Sequence, residues 1–182
     1  NDSPLPNVWR GFTLRWYEEF IEGVKDGFLA ELDYVVASVH NVFTLPEAEM
    51  TARIIRAVEN PYVTILGHVT GRLLLKREPY AVNIPAILDA CAANGTIIEL
   101  NASPWRLDMD WRLWRRAAEK GLVCAINPDA HDVAGLMYVQ CGVNAARKGW
   151  LGRSNILTTW SLREMTTWID RARAARVMVR KK

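Results

Sequence analysis

The sequence predicts an α/β protein built on a parallel sheet, and three observations carry that expectation. Short, β-branched apolar runs alternate with longer amphipathic stretches from residue 33 onward. The runs end near residues 40, 67, 100 and 128, a repeat of about thirty residues, which is the length of one βα unit. They are also apolar throughout instead of alternating, as strands buried on both faces are. The expected architecture is α/β, and four or five such units fall short of the eight strands and roughly 250 residues of a full barrel.

Taken in order, residues 1–32 form an atypical N-terminal segment. Phe12 to Val24 reads as a helix crowded with Trp16, Tyr17 and Phe20, and no strand precedes it to pack on. The regular units fill residues 33–182. Tyr34 to Val39 is the first strand, and Pro46 opens a helix to Val58 with Glu47 and Glu49 near its positive end. Val63 to Leu66 is the second strand, followed by a helix over Ile84 to Ala93 that Asn94-Gly95 ends. Thr96 to Leu100 is the third strand, and Asp108 is placed to cap a helix running to Lys120, with Gly121 as its stop. Leu122 to Ile126 is the fourth strand, and Asp132 to Lys148 is mostly helical. Ser161-Leu-Arg-Glu164 is a capping box that opens a last helix, with Leu162, Met165, Ile169 and Ala172 on one face.

The 182 residues are half hydrophobic and 24% charged, with a net charge of +3. That charge is too small to imply a nucleic-acid or membrane partner by itself. No run approaches the length of a membrane span and no signal-peptide pattern opens the chain. Three cysteines without C-x-x-C spacing read as small buried hydrophobes in a reducing compartment, so the expected location is cytoplasmic. The chain opens Asn1-Asp2-Ser3 with no methionine, which reads as the product of processing or truncation.

The three histidines carry the functional argument. His40 ends the first strand run, His68 the second, and His131 follows the fourth in Asn127-Pro-Asp-Ala-His131. In parallel α/β folds the C-terminal strand ends share one edge, and that edge carries the active site. A single histidine there is more often structural; three at equivalent positions point to a metal site. Asp129 and His131 stand at i and i+2, so in extended backbone both reach one ion. Carboxylate with imidazole suits Zn, Mn or Fe. Arg72, just past His68, is placed either to contact a phosphate through its planar fork or to make a helix-start salt bridge. Glu99 and Asn101 alternate on a strand and both face the site mouth, unless Glu99 pairs with an arginine. Trp111 and Trp114 have core spacing; Trp105, in the loop after the third strand, is the tryptophan placed for substrate contact. The Arg/Lys-rich end, from Arg171 to Lys182, reads as a solvated helix end or a phosphate contact.

Asp33-Tyr-Val-Val-Ala-Ser-Val-His40, Gly67-His-Val-Thr-Gly-Arg72, Ile98-Glu-Leu-Asn101 and Pro128-Asp-Ala-His131 occur in this order. In them the chain resembles the polymerase-and-histidinol-phosphatase (PHP) family, in the branch associated with bacterial family-X DNA polymerases. Ala146-Arg-Lys-Gly-Trp-Leu151 is similar to that branch too, and the resemblance covers about residues 28–160. It implies a distorted, seven-stranded TIM-like barrel, of which this chain carries the C-terminal part without the first strands. It further implies up to three divalent metal ions and phosphomonoesterase or 3′–5′ exonuclease activity, on phosphate esters that include DNA 3′ ends. Carried over by position, His40, His68, Asp129 and His131 match metal ligands. Val69 stands where the family usually has proline. The family also has an H-x-H pair, further histidines and a bridging glutamate upstream. No histidine precedes His40 here, and Glu22, the nearest candidate for the glutamate, lies closer to His40 than the family pattern.

Two readings follow: a metal-dependent phosphoesterase module that is incomplete in this chain, or a non-catalytic remnant serving as a structural or binding module. An incomplete barrel leaves strand edges without backbone partners. Either residues 1–32 cover one edge or two copies pair as a homodimer, and the aromatic N-terminal segment favours the dimer.

Overall fold

A computed structural model describes residues 11–15 and 26–180. In chain order they form β1 (Gly11–Arg15), α1 (Asp26–Ala30), β2 (Tyr34–Ser38), α2 (Glu47–Val58), β3 (Ile65–Leu66) and α3 (Ile84–Asn94). Then come β4 (Ile97–Asn101), α4 (Trp111–Glu119), β5 (Cys124–Asn127), a 3-10 turn (Ala134–Tyr138), α5 (Val139–Lys148) and α6 (Leu162–Arg180). The sheet order is β1-β2-β3-β4-β5 and every pairing is parallel. Each strand lies beside the one before it, the order of βα units wound in one direction. The α/β expectation therefore holds, with strand bounds shifted by a residue or two.

The first strand corrects the helix expected from Phe12. Gly11–Arg15 runs along β2, from Gly11 opposite Tyr34 to Arg15 opposite Ser38. Phe12, Thr13 and Leu14 suit a pleated surface, and β2 offers backbone partners that a helix there would leave unmade. That edge of β2 is thus occupied from within the chain, and β1 becomes the outer strand of the sheet. At the other end, Cys124 of β5 makes a parallel bridge with Ile156. Residues 1–10 and 16–25, with Trp16, Tyr17, Phe20 and Glu22, lie outside the described residues.

Both faces of the sheet are covered, which is why its strands read as unbroken apolar runs. One face, with Leu66, Ile98, Leu100, Cys124 and Ile126, packs against Met50, Ile54, Ile87, Trp114 and Ala146 from helices α2 to α5. The other, with Ile65, Ile97 and Ala125, packs against Leu157, Met165 and Trp168 from the C-terminal segment. Trp114 is fully buried and its Nε1 donates to the Met109 carbonyl at 3.2 Å, as core spacing implied. The α5 helix can lie against the sheet because a Cβ at Gly142 would stand 2.6 Å from both Ala102 and Ile126 side-chain atoms.

Helix ends follow local chemistry with one correction. The α4 cap is Asp110, whose Oδ1 accepts from Arg112 N at 2.9 Å, and not Asp108. Asp108 is buried instead, where its Oδ2 accepts from Thr70 N at 2.9 Å. The Ser161–Glu164 capping box is present in both directions. On α6, Ile169 is buried while Leu162 is exposed. Arg173 and Arg176 of that helix do not face outward: Arg173 Nη2 donates to Leu32 O at 3.0 Å, and Arg176 Nη1 donates to Val63 O. They tie the helix to the loops that lead into β2 and β3. No helix among the described residues is long and apolar enough to cross a membrane.

Candidate active site

The C-terminal ends of β2 to β5 bring the predicted residues to one edge. His40 lies two residues past β2, His68 two past β3, Glu99 and Asn101 on β4, and Asp129 two past β5. A cavity of about 440 Å³ opens there, with His40, His68, Glu99, Asn127 and Asp129 on its wall and Tyr34, Ile65, Met165 and Ile169 as its apolar lining. Gly67 lets β3 come close: a Cβ there would lie 2.4 Å from Ser38 Oγ.

His68 and Asp129 both have left-handed backbone, with φ of 24° and 52°. Such conformations are disfavoured for non-glycine residues and concentrate where function needs a side chain aimed off the regular path. A buried carboxylate holds the first of these turns: Glu99 Oε2 accepts from His68 N at 2.8 Å. Glu99 also accepts from Asn101 Nδ2 at 3.2 Å and from Asn127 Nδ2 at 3.0 Å, so it pairs with amides and not with an arginine. Burial pushes its carboxyl above the usual range, and those three donors oppose the shift.

The two imidazoles meet edge to face, with centroids 4.8 Å apart and planes at 77°. His68 is buried and its Nδ1 has no hydrogen-bond partner among the described residues. Burial, helped by the nearby charges of Arg106 and His40, lowers its pKa to about 4. It is therefore a neutral imidazole at neutral pH, with a buried ring nitrogen that has no partner among the described residues, on the wall of a cavity that Asp129 also lines. That donor chemistry fits a borderline divalent cation. Among the described residues, however, no three His, Cys, Asp or Glu side chains converge closely enough to enclose an ion.

Asp129 and His131 both line a second cavity, but not through the extended backbone that the i, i+2 argument assumed. That argument needs extended backbone, and Asp129 is left-handed. Asp129 lies on the wall of both cavities, while exposed His131 lines the second only, its Nδ1 2.9 Å from the Asp129 carbonyl. Arg72 lines neither cavity. Its Nε donates to Arg106 O at 2.8 Å, Nη1 to Asp110 Oδ2 at 2.9 Å and Nη2 to Leu107 O. The whole guanidinium braces the loop before α4, so the helix-start salt bridge, and not the phosphate contact, is the arrangement present.

With this geometry in hand, similarity to known proteins is informative. No family model matches the chain. It is similar to the DNA polymerase/3′-5′ exonuclease PolX of Bacillus subtilis (strain 168), 38% identical over 146 residues, which is 80% of this chain and 26% of that protein. It is also similar to a probable phosphatase of Thermoanaerobacter sp. (strain X514), 32% identical over 117 residues, 59% of this chain and 45% of the relative. A probable phosphatase of Clostridium acetobutylicum is 28% identical over 109 residues, 56% of this chain and 42% of the relative. The chain spans about a quarter of the first relative's length and under half of the phosphatases'. Together these names support a relationship to PHP-type phosphoesterases.

Sequence reasoning missed Arg106, whose Nε donates to Asp129 Oδ2 at 3.2 Å. Its position directly after Trp105, in the loop that follows β4, was the available signal. Asn127, which shares Glu99 with Asn101, was also passed over because an asparagine at a strand end reads first as a turn residue.

Proposed function

We propose that this chain is the metal-ligand-bearing part of a PHP-type phosphoesterase, acting on phosphate esters as a phosphomonoesterase or 3′–5′ exonuclease and incomplete in its ligand set. His40, His68 and Asp129 would hold a divalent cation, Zn, Mn or Fe by donor type, with His131 on the same strand-end edge. The observation that carries this reading is the buried, unpartnered Nδ1 of neutral His68 beside His40, in a cavity shared with Asp129. Such an ion supplies charge for the phosphate oxygens and lowers the pKa of water bound to it. The chain's own residues orient the site. Glu99 fixes the His68 turn, Arg106 holds Asp129, and the apolar lining from Met165 and Ile169 excludes water on one side.

A second reading, a non-catalytic binding module, is favoured by the absence of three converging donors among the described residues. Elemental analysis after loading and gel filtration separates the issues. The wild type should retain Zn or Mn that a His40→Ala/His68→Ala variant loses. Equal, negligible metal in both would remove the metal site. Hydrolysis of a generic phosphomonoester should be feeble and abolished by Asp129→Ala. Metal retention without any turnover favours the binding module.

A further inference from the structure

The 3-10 turn Ala134–Tyr138 and helix α5 make one continuous rod, because Val133, Tyr138 and Val139 all have right-handed helical backbone. Glycines fix which side of the rod meets the sheet. A Cβ at Gly142 would collide with Ala102 and Ile126, and one at Gly135 would crowd Ala130. Ala146 is buried on that same side. The opposite side carries Val133, Leu136 and Met137, each at least 56% exposed, and then Val143, which is exposed as well. Single exposed apolar residues are ordinary, but a contiguous row of them marks a contact surface.

The row has the spacing of a helix-pairing seam. Val133, Leu136, Gln140, Val143 and Arg147 follow one another at alternate steps of three and four residues, with Met137 beside them. Gln140 and Arg147 are exposed with the rest. The seam is also polarised, since Asp132 precedes its apolar half while Arg147 and Lys148 close the other half. A row that is acidic and apolar at its start and basic at its end complements its own reverse. Antiparallel pairing about a two-fold axis near Gln140 lays Leu136 and Met137 on the partner's Val143, and Val133 on the alkyl stem of the partner's Arg147. It also brings Asp132 beside the partner's Arg147 and Lys148. Parallel pairing would instead set Arg147 against its own copy.

We propose that this face of α5 is a self-association surface, on which a second copy of the chain docks antiparallel through Leu136, Met137 and Val143. The pairing joins helix faces, not strand edges, and needs neither a metal nor catalysis. The row begins two residues after His131, beside the second cavity, which Trp105 and Tyr138 also line. A second copy seated there lies next to the loop that carries Asp129 and His131. So short a seam belongs with the small interfaces, below about 1,200 Å², that form reversibly. The dimer is therefore concentration-dependent.

Sedimentation equilibrium of the full chain in EDTA, from micromolar to near-millimolar concentration, tests this. The wild type should pass from monomer to dimer as concentration rises. Leu136→Glu and Met137→Glu each place a carboxylate in the seam and should weaken association at least about tenfold. Both side chains are exposed, so circular dichroism should show the fold unchanged. Leu162→Glu, at an exposed leucine of α6 on the other face of the sheet, should associate as the wild type does. Direction is read from disulfides in a Cys141→Ser background. A mixture of Val133→Cys and Arg147→Cys should cross-link between the two variants faster than either does alone. A monomer at every concentration would overturn the surface, and protection of Met137 from peroxide would then assign its cover to another part of the same chain. Wild-type association in either Leu136→Glu or Met137→Glu would overturn it equally. Val133→Cys linking to itself faster than to Arg147→Cys would overturn the antiparallel arrangement.

Discussion

The backbone amide of His68, just past β3, donates to the side chain of Glu99 on β4 at 2.8 Å. One buried carboxylate thereby sets the left-handed turn that aims an imidazole at the cavity, and it joins His68 to Asn101 and Asn127 in one network.

Removing that carboxylate should cost more than its own bonds. Glu99→Ala leaves the buried His68 amide without its acceptor and takes one of two acceptors from Asn101 Nδ2, at about 1–3 kcal/mol for each group that water cannot reach. Glu99→Gln keeps the shape and at least one acceptor, so its midpoint in urea should lie between Ala and wild type or above both. A wild-type midpoint in Glu99→Ala would show that the network does not hold the site.

The pH dependence of Glu99 has a definite sign. Its carboxyl is held above the usual 4.5 by burial, so the native state keeps a proton that the unfolded chain has already lost. Stability therefore falls as pH rises from about 4.5 through the raised value. Buried Asp108 shifts in the same direction for the same first cause. Glu99→Gln should flatten part of this slope in denaturant midpoints measured across pH; an unchanged slope would contradict the burial argument.

His68 acts in the opposite sense in metal-free protein. Its pKa is lowered from 6.5 to about 4 by burial, so the unfolded chain binds a proton first on acidification. Stability should be lost as pH falls from 6.5 towards 4, by about 3 kcal/mol in full. His68→Asn should remove this acid-side loss in urea melts, whatever its effect on absolute stability. Persistence of the full loss in the variant would assign it to other groups.

The C-terminal arginines should separate by burial. Arg176 is 6% exposed and bonds Ala172 O and Val63 O, so Arg176→Ala leaves a buried carbonyl short of a partner and should cost about 1–3 kcal/mol. Exposed Arg171→Ala should stay within about 0.5 kcal/mol of wild type. Thermal melts of the two variants check the contrast, and equal shifts would mean the helix is not tied through Arg176.

Thiol chemistry should report the same core. Cys91 and Cys124 are buried, and burial pushes the Cys91 thiol up to about 12 and the Cys124 thiol higher than usual too. Cys141 is only partly buried. A thiol-reactive dye at neutral pH should therefore modify Cys141 first, and all three cysteines only in denaturant. Rapid modification of Cys91 in the native state would show that the α3 face of the core opens readily.

The sequence alone determined the parallel α/β class, the order of units from residue 33, and the placing of His40, His68 and Asp129 at one edge. Those follow from local rules: apolar period, caps such as Ser161 with Glu164, and the common direction of parallel strands. Tertiary structure decided the rest, because each remaining question turned on groups distant in sequence. Gly11–Arg15 became a strand only because β2 offered an edge for it to pair with. Arg72 went to Asp110, and not to the cavity, because Leu107 and Arg106 carbonyls lay beside that helix start. Asp129 came to line both cavities and His131 the second alone with a left-handed φ at Asp129, and no i, i+2 spacing encodes that angle.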